Sequence, residues 1–220
     1  MNQRLKRLQK AKSNNRQQAR VATAMPNSST KKMARSMPSF RLREAARCLR
    51  KGGVIAYPTE AVYGIGCDPL DREAVSRILS IKQRPMAKGV ILIASGFEQL
   101  APFVLPPSPE IKQRLDQTWP GPVTWLLPCR AETPVWLRGR HPTIAVRITD
   151  HPLARALCTA FGGAIVSTSA NASGRPPARS ALQARLRCPG VDLVVNGPTG
   201  GRKNPSEIRD ARSAAVMRAG

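Results

Sequence analysis

The stretch GGVIAYPTEAVYGIGCD, residues 52–68, predicts the fold most directly. Its two glycines end a preceding helix, and the apolar run of residues 54–57 has the length and composition of a buried strand. Pro58 ends that strand, and the polar, glycine-containing segment after it is predicted to be a loop. Loops at the ends of strands carry functional groups in many α/β proteins, because the sheet behind them holds the backbone rigid.

Strand-like and helix-like segments alternate along the rest of the chain from residue 39 onward. Helices are predicted over residues 39–51, 71–82, 109–117, 151–161 and 180–186 from apolar positions at helical spacing. Further strands are predicted over residues 90–94, 123–127, 143–148, 164–167 and 191–195, with two short ones near residues 208 and 215–218. This alternation without internal repeats predicts an α/β (α+β) domain, a single twisted mixed sheet with flanking helices.

Positive charge dominates the composition, with 36 Lys and Arg residues against 13 Asp and Glu among 220 residues, a net charge of +23. Such a field attracts polyanions, including nucleotides and nucleic acid. Residues 1–36 hold ten of the cations and none of the acids, which leaves +13 on residues 37–220. The first segment has too few large apolar groups to fold, so it is predicted to be a basic, disordered N-terminal extension of a domain spanning residues 37–220. A transit peptide, an RNA-binding arm and an over-long start remain open for it.

Several classes of protein are excluded by missing patterns. No apolar run reaches the roughly 18 residues of a transmembrane helix, so no membrane contact is expected. The five cysteines include no C-x-x-C pair, and both histidines precede proline, which excludes a zinc ribbon or finger. Dispersed cysteines indicate reduced thiols in the core of a cytoplasmic protein. The chain also lacks a G-x-S-x-G elbow, a Walker loop and a G-x-G-x-x-G fingerprint.

Three loops at strand or helix ends combine hydroxyl or amide groups with nearby cations. They hold Thr59 and Glu60, then Lys82, Arg84 and Lys88, then the run Ser167-Thr168-Ser169-Ala170-Asn171. Lysine and arginine suit phosphate oxygens, and hydroxyl or amide groups orient them. The alternative for the cations is a solvated helix end that offsets the helix dipole, and for the serines a simple turn.

Isolated residues are more ambiguous. Arg147 ends a strand, where an anion-binding and a structural role are equally compatible with the sequence. The three tryptophans, Trp119, Trp125 and Trp136, are expected in the core rather than as stacking platforms for bases.

Five motifs in one order resemble the YrdC-like threonylcarbamoyl-AMP synthases, over about residues 40–220. The motifs are Tyr57-Pro58-Thr59-Glu60-Ala61-Val62-Tyr63-Gly64, Lys82-Gln83-Arg84-Pro85 with Lys88, Trp119-Pro120-Gly121-Pro122-Val123-Thr124, Ala145-Val146-Arg147 and the run from Ser167 to Gly174. The resemblance implies that L-threonine, bicarbonate and ATP react to threonylcarbamoyl-adenylate and pyrophosphate, with Mg²⁺ bridging phosphates. It also implies a concave basic face for tRNA or structured RNA, and partner proteins that transfer the threonylcarbamoyl group to tRNA.

The family signature places catalytic roles on four residues of this chain. They are Lys82, Arg84, Ser169 and Asn171. Binding of ATP or the other substrates is expected from Thr59, Tyr63, Lys88, Thr124, Arg147, Ser167 and Ser206, and no residue is expected to bind a metal. Gly89-Val90 replaces the proline-leucine of many relatives, which puts the closure of that loop in doubt. The extra C-terminal domain of longer relatives is not expected here.

Two alternatives accompany this interpretation. A non-catalytic protein that binds double-stranded RNA or assists ribosome assembly would use the same basic face. The larger carbamoyltransferase maturation factor contains a related domain, but it also carries zinc fingers, which a chain without C-x-x-C cannot form.

Overall fold

The computed structural model describes residues 39–220, and the predicted extension, residues 1–36, lies outside them. Within this range the helices are α1 (Ser39–Arg50), α2 (Arg72–Lys82), α3 (Pro109–Asp116), α4 (Val135–Arg138), α5 (Pro152–Phe161) and α6 (Ala181–Arg187). The strands are β1 (Ile55–Pro58), β2 (Tyr63–Gly66), β3 (Ile91–Ala94), β4 (Val123–Pro128), β5 (Thr143–Ile148), β6 (Ile165–Ser169), β7 (Leu193–Val194), β8 (Glu207–Asp210) and β9 (Val216–Arg218). None of the helices in residues 39–220 combines the length and the apolar character needed to cross a bilayer.

All strands of the described range join one mixed sheet in the order β7-β1-β2-β6-β3-β5-β4-β8-β9. The central strand β3 pairs in parallel with β5, Ile93 opposite Arg147, and antiparallel with β6, Ile91 opposite Ser167. The predicted α/β fold around a mixed sheet is confirmed.

Strand β2 corrects the predicted loop over residues 58–68. Residues Tyr63–Gly66 pair antiparallel with β1 and then with β6, so the hairpin turn comprises only the four residues between Pro58 and Tyr63. Two glycines in four residues suggested a turn. Here Gly66 instead allows a close approach, since a Cβ at that position would lie 2.2 Å from the carbonyl oxygen of Val166.

The two faces of the sheet are covered unequally, and this places the site. On one face, side chains such as Leu92, Val146 and Val166 pack with α2, α4 and α6 in the larger core. Trp125 is buried in this core, and Trp119 and Trp136 pack against it, as the sequence predicted. On the other face, α1 and α5 cover Ile55, Tyr57, Ile93 and Ile165. The remainder of that second face is left open.

Candidate active site

A cavity of about 560 Å³ occupies the open part of the second face. Ligand pockets for small molecules span roughly 300–1,000 Å³, so the cavity has room for a nucleotide-sized ligand. Its lining includes nine of the eleven residues predicted for the site, which are Thr59, Lys82, Arg84, Lys88, Arg147, Ser167, Ser169, Asn171 and Ser206. The fold therefore brings together loops that are far apart in the sequence.

The floor of the cavity is polar because of the alternation of side chains along the strands. Successive residues of a strand point to opposite faces, so Ser167 and Ser169 lie on the same face as Ile165. Ile165 is covered by the helices of the smaller core, whereas the two serines extend past them into the cavity. Ala145 on β5 also lines it, and its small side chain leaves space.

Lys82 at the end of α2 is committed to the loop that follows β6. Its Nζ lies 2.6 Å from the carbonyl oxygen of Ser169 and 2.8 Å from that of Asn171. The side-chain oxygens of the same two residues lie at 3.3 and 3.2 Å. Burial lowers the pKa of Lys82 to about 8, with Arg84 adding to the shift and Cys188 opposing it. Lys82 thus holds the shape of the loop rather than extending freely into the cavity.

Asn171 completes this arrangement from the loop itself. While its Oδ1 faces Lys82, its Nδ2 donates to the carbonyl oxygens of Ala172 at 2.9 Å and Arg175 at 2.6 Å. Ser173 adds a further link, because its hydroxyl donates to the carbonyl oxygen of Lys82 at 2.8 Å. The turn after β6 is therefore tied to the end of α2 by side chains from both sides.

The cations of the cavity come from separate elements of the fold. Arg84 follows the left-handed residue Gln83 that ends α2, and its Nε and Nη2 donate to the carbonyl oxygens of Gly89 and Lys88, each at 3.3 Å. Arg218 on β9 donates to the carbonyl oxygen of Ser206 at 2.6 Å. Burial lowers the pKa of Arg218, and the nearby charges of Arg147 and Arg84 lower it further. Such repulsion between guanidinium groups favours an anion between them.

Glu60 and Arg147, two further residues of the lining, form a buried ion pair. Arg147 Nη1 lies 3.2 Å from Glu60 Oε2, and the side chains are only 8% and 9% exposed. Burial opposes ionisation of Glu60, but the charge of Arg147 and the hydroxyl of Thr149 outweigh it and lower the pKa. The carboxylate of Glu60 is therefore ionised at neutral pH.

Two predicted residues, Tyr63 and Thr124, are sealed behind the wall of the cavity. The hydroxyl of Thr124 donates to the hydroxyl of Ser206 at 3.0 Å, and that of Tyr63 donates to the carbonyl oxygen of Gly197. His151 contacts the next carbonyl oxygen, that of Pro198, at 3.1 Å. These contacts anchor the loop that leads to Arg202, another lining residue.

Several lining residues were not predicted as site residues. Arg218 lies in no motif of the sequence, Asn204 lies two residues before the predicted Ser206, and Glu60 lies in the first motif without a predicted role. Residues 39–220 contain no group of three His, Cys, Asp or Glu side chains placed to hold a metal ion.

Comparisons with known proteins show the family of the chain. The Sua5/YciO/YrdC family, described as "Telomere recombination", matches residues 47–220. The chain is 54% identical over 182 residues to a threonylcarbamoyl-AMP synthase of Nitrosococcus oceani, covering 82% of this chain and 98% of that protein. A protein of the same name from Stutzerimonas stutzeri is 55% identical over 181 residues, covering 81% and 97%.

Solved structures match as well. E. coli YciO superposes with a TM-score of 0.72 at 29% identity, covering 83% of this chain and 90% of that one. P. abyssi Sua5, crystallised in complex with L-threonine, superposes with a TM-score of 0.75 at 32% identity over 79% of this chain. The chain spans about half of that Sua5, 52% of its length.

Proposed function

The chain belongs to the Sua5/YciO/YrdC family, and from this premise we propose that it is a threonylcarbamoyl-AMP synthase that uses L-threonine, bicarbonate and ATP. The observation that carries the proposal is identity of about half to proteins of that name, which the chain covers almost completely. The cavity supports it, because cations, hydroxyls and a buried ion pair suit a nucleotide and an amino acid together. Transfer of the adenylyl group makes the enzyme a nucleotidyltransferase, acting in the cytoplasm.

The reaction needs no nucleophile from the protein. The threonine amine forms a carbamate, either with carbon dioxide and release of a proton or with bicarbonate and release of water. An oxygen of the carbamate then attacks the α-phosphorus of ATP, and the bond to pyrophosphate breaks as pyrophosphate leaves. The work of the protein is then to position the reactants and to stabilise charge that moves toward the leaving pyrophosphate.

The cations of the cavity differ in whether a carboxylate already pairs with them, and we assign their ligands on that basis. Arg84, Lys88 and Arg218 have no carboxylate within 4.0 Å in the described part of the chain, so they suit the several negative charges of a triphosphate. Arg147 is already compensated by Glu60, so it suits a single negative charge, the carboxylate of L-threonine, with Thr59 nearby. Ser167, Ser169 and Ser206 add hydroxyls to the same lining.

Lys82 and Asn171 act on the reaction through the loop that they shape. Their polar groups bind each other and the backbone of residues 169–175. We therefore assign them to positioning of Ser169, with Tyr63 and Thr124 supporting the wall from behind.

Mg²⁺ is proposed to enter with ATP rather than to occupy a site built from carboxylates. Glu60 is the acid among the lining residues of the described chain, and it is committed to Arg147. The residues present thus fit a metal that would be held by the nucleotide and would partly neutralise its phosphate charge.

The test is direct detection of the product. Purified protein incubated with ATP, L-threonine and bicarbonate is expected to form threonylcarbamoyl-adenylate, detected by mass spectrometry, and to release pyrophosphate only when all three are present. Binding of tRNA or structured RNA without this product would favour the non-catalytic alternative. Partner proteins that transfer the threonylcarbamoyl group to tRNA are proposed as consumers of the product.

A further inference from the structure

The carboxylate of Glu60 is the one buried acidic group of residues 39–220. It lies in the hairpin turn between β1 and β2 and is 7% exposed. Burying a carboxylate is unfavourable unless it is paired and hydrogen-bonded. The partners of Glu60 therefore indicate why an acid is buried beside a ligand cavity.

The two oxygens of Glu60 have different partners. Oε1 accepts hydrogen bonds from the hydroxyl of Thr149 at 2.6 Å and from the backbone N–H of Asp150 at 3.1 Å. Oε2 receives no hydrogen bond within the described chain, and its polar neighbour is Nη1 of Arg147 at 3.2 Å. One oxygen is thus fixed by the end of β5, and the other is directed at Arg147.

Glu60 is also held in place through its own backbone. Its carbonyl oxygen accepts the N–H of Arg202 at 3.0 Å, and Gly200 packs against it so closely that a Cβ there would lie 2.9 Å from the same oxygen. The carboxylate is therefore anchored from two directions before it meets the guanidinium group.

Arg147, unlike Glu60, has few polar contacts that fix its side chain. It is 6% exposed, yet within residues 39–220 it donates no hydrogen bond, and its Nε is sealed without an acceptor. A long side chain with free rotamers needs a partner to hold its planar group in one orientation. Glu60 supplies the polar contact that the described residues offer it.

We propose that Glu60 is a positioning residue that acts through Arg147, holding its guanidinium group so that the remaining N–H groups face the cavity and bind the substrate carboxylate. This inference rests on the proposed function, because the carboxylate is that of L-threonine. Glu60 itself touches no reacting atom. Its effect therefore falls on the binding of the amino acid and not on the binding of ATP.

The variant Glu60→Gln separates these effects. Its amide oxygen can still accept from Thr149 and Asp150, but its NH₂ group faces the donors of Arg147 and no longer offsets their charge. Pyrophosphate release is measured while L-threonine and ATP are varied in turn. We expect the KM for L-threonine to rise at least about tenfold, the size of a lost hydrogen bond to a charged group, and the KM for ATP to stay within about twofold.

The matched control is Asp116→Asn, which also removes a carboxylate from an ion pair. Its partner Lys112 lies 2.6 Å away on the exposed side of α3, outside the cavity. Both KM values are expected to match those of the unchanged protein.

A double-mutant cycle tests whether Glu60 acts through Arg147. Arg147→Gln and the double variant Glu60→Gln/Arg147→Gln are expected to share one raised KM for L-threonine, because Glu60 has nothing left to position. The inference would be overturned if the KM for L-threonine in the double variant rose by the product of the two single increases. An unchanged KM for L-threonine in Glu60→Gln would also overturn it. Equal increases in both KM values would do so too, since they indicate a purely structural role.

Two further measurements keep the outcomes separate. If Glu60→Gln does not fold, Glu60→Asp takes its place, because it retains the charge with a shorter side chain. An intermediate rise in the KM for L-threonine would support positioning. An unchanged KM for L-threonine would oppose it. An unchanged protein that neither binds L-threonine in calorimetry nor makes product overturns the proposed function itself. Activity in the unchanged protein with no effect of Glu60→Gln overturns only the inference drawn from Glu60.

Discussion

The Nζ of Lys82 lies 2.6 Å from the carbonyl oxygen of Ser169, which joins the last residue of α2 to the last residue of β6. An ammonium group has three N–H donors, and four oxygens of Ser169 and Asn171 lie within 3.3 Å of this one. The signature lysine of the site is thus used within the protein, to give the loop after β6 its shape.

Replacing Lys82 with methionine should therefore reduce both stability and activity. Lys82→Met keeps the length of the side chain but leaves two carbonyl oxygens and an amide oxygen without their donor. We expect the free energy of unfolding in urea to fall by about 2 kcal/mol and the rate of synthesis by about 100-fold. Lys88→Met, at an exposed lysine of the same length, is the stability control and should change it by less than about 0.5 kcal/mol.

Arg84 should show the opposite balance between activity and stability. Its two hydrogen bonds to carbonyl oxygens are long, at 3.3 Å, so Arg84→Ala should cost less than about 1 kcal/mol of unfolding free energy. Loss of a cation that stabilises the leaving pyrophosphate should lower synthesis by roughly 100-fold. Arg84→Lys should recover part of the rate, because the charge returns without the planar fork.

The control for Arg84 is Arg130→Ala, since Arg130 also donates to a loop carbonyl but lies outside the cavity. Pyrophosphate release and thermal unfolding are measured for all three variants. Near-normal turnover in Arg84→Ala would mean that the cluster is an ordinary helix end.

Removing one partner of the ion pair of Glu60 and Arg147 should lower the free energy of unfolding much more than removing both partners. Arg147→Gln leaves a buried carboxylate without its counter-charge, and losses of about 3–5 kcal/mol are typical of such a change. The double variant Glu60→Gln/Arg147→Gln leaves no buried charge, so it should be more stable than Arg147→Gln in urea unfolding. A double variant that is less stable than either single variant would contradict this account.

Gly66 should tolerate no side chain, although it lies in a strand. A Cβ at this position would lie 2.2 Å from the carbonyl oxygen of Val166 and 3.0 Å from the ring of Tyr57. Gly66→Ala is expected to lower the free energy of unfolding by at least about 3 kcal/mol, because backbone on the neighbouring strand must move. Gly163→Ala is the control, since its Cβ would meet nothing closer than 3.6 Å, and its stability should change by less than about 1 kcal/mol.

Stability should fall in alkaline solution because of thiols that ionise only in the unfolded chain. Burial raises the pKa of Cys158 to about 12, whereas an unfolded thiol has a pKa of about 8.5. Between these values the folded state binds one more proton, so the free energy of unfolding decreases with pH by up to about 1.4 kcal/mol per unit. Below about pH 8.5 both states keep the proton and the slope vanishes.

The variant Cys158→Ala isolates this contribution. Urea unfolding from pH 7 to pH 10 should show a shallower decline in the variant than in the unchanged protein, whatever their difference at pH 7. Parallel declines would mean that the Cys158 thiol titrates alike in the folded and unfolded chain.

Local patterns in the sequence were sufficient for most elements of the fold. Helical spacing predicted α2, and apolar runs predicted β3 and β5, because these signals depend on neighbouring residues. Strand β2 was missed because glycine indicates a turn locally, and the reason for Gly66 is a strand that arrives 100 residues later. The residues predicted for the site from the family resemblance include nine that line the cavity.

The surroundings of those residues were decided only by the tertiary structure. The sequence by itself determined which chemical groups the site contains, since lysines, arginines and hydroxyls can be read from it directly. Which of them face a ligand depends on burial and on partners that lie 87 residues away for Lys82 and Ser169. The pairing of Glu60 with Arg147 and the entry of Arg218 from β9 have the same origin. Such contacts form when strands that are distant in sequence become neighbours in a sheet. The periodicity of residues along the chain does not predict them, because it depends on local neighbours only.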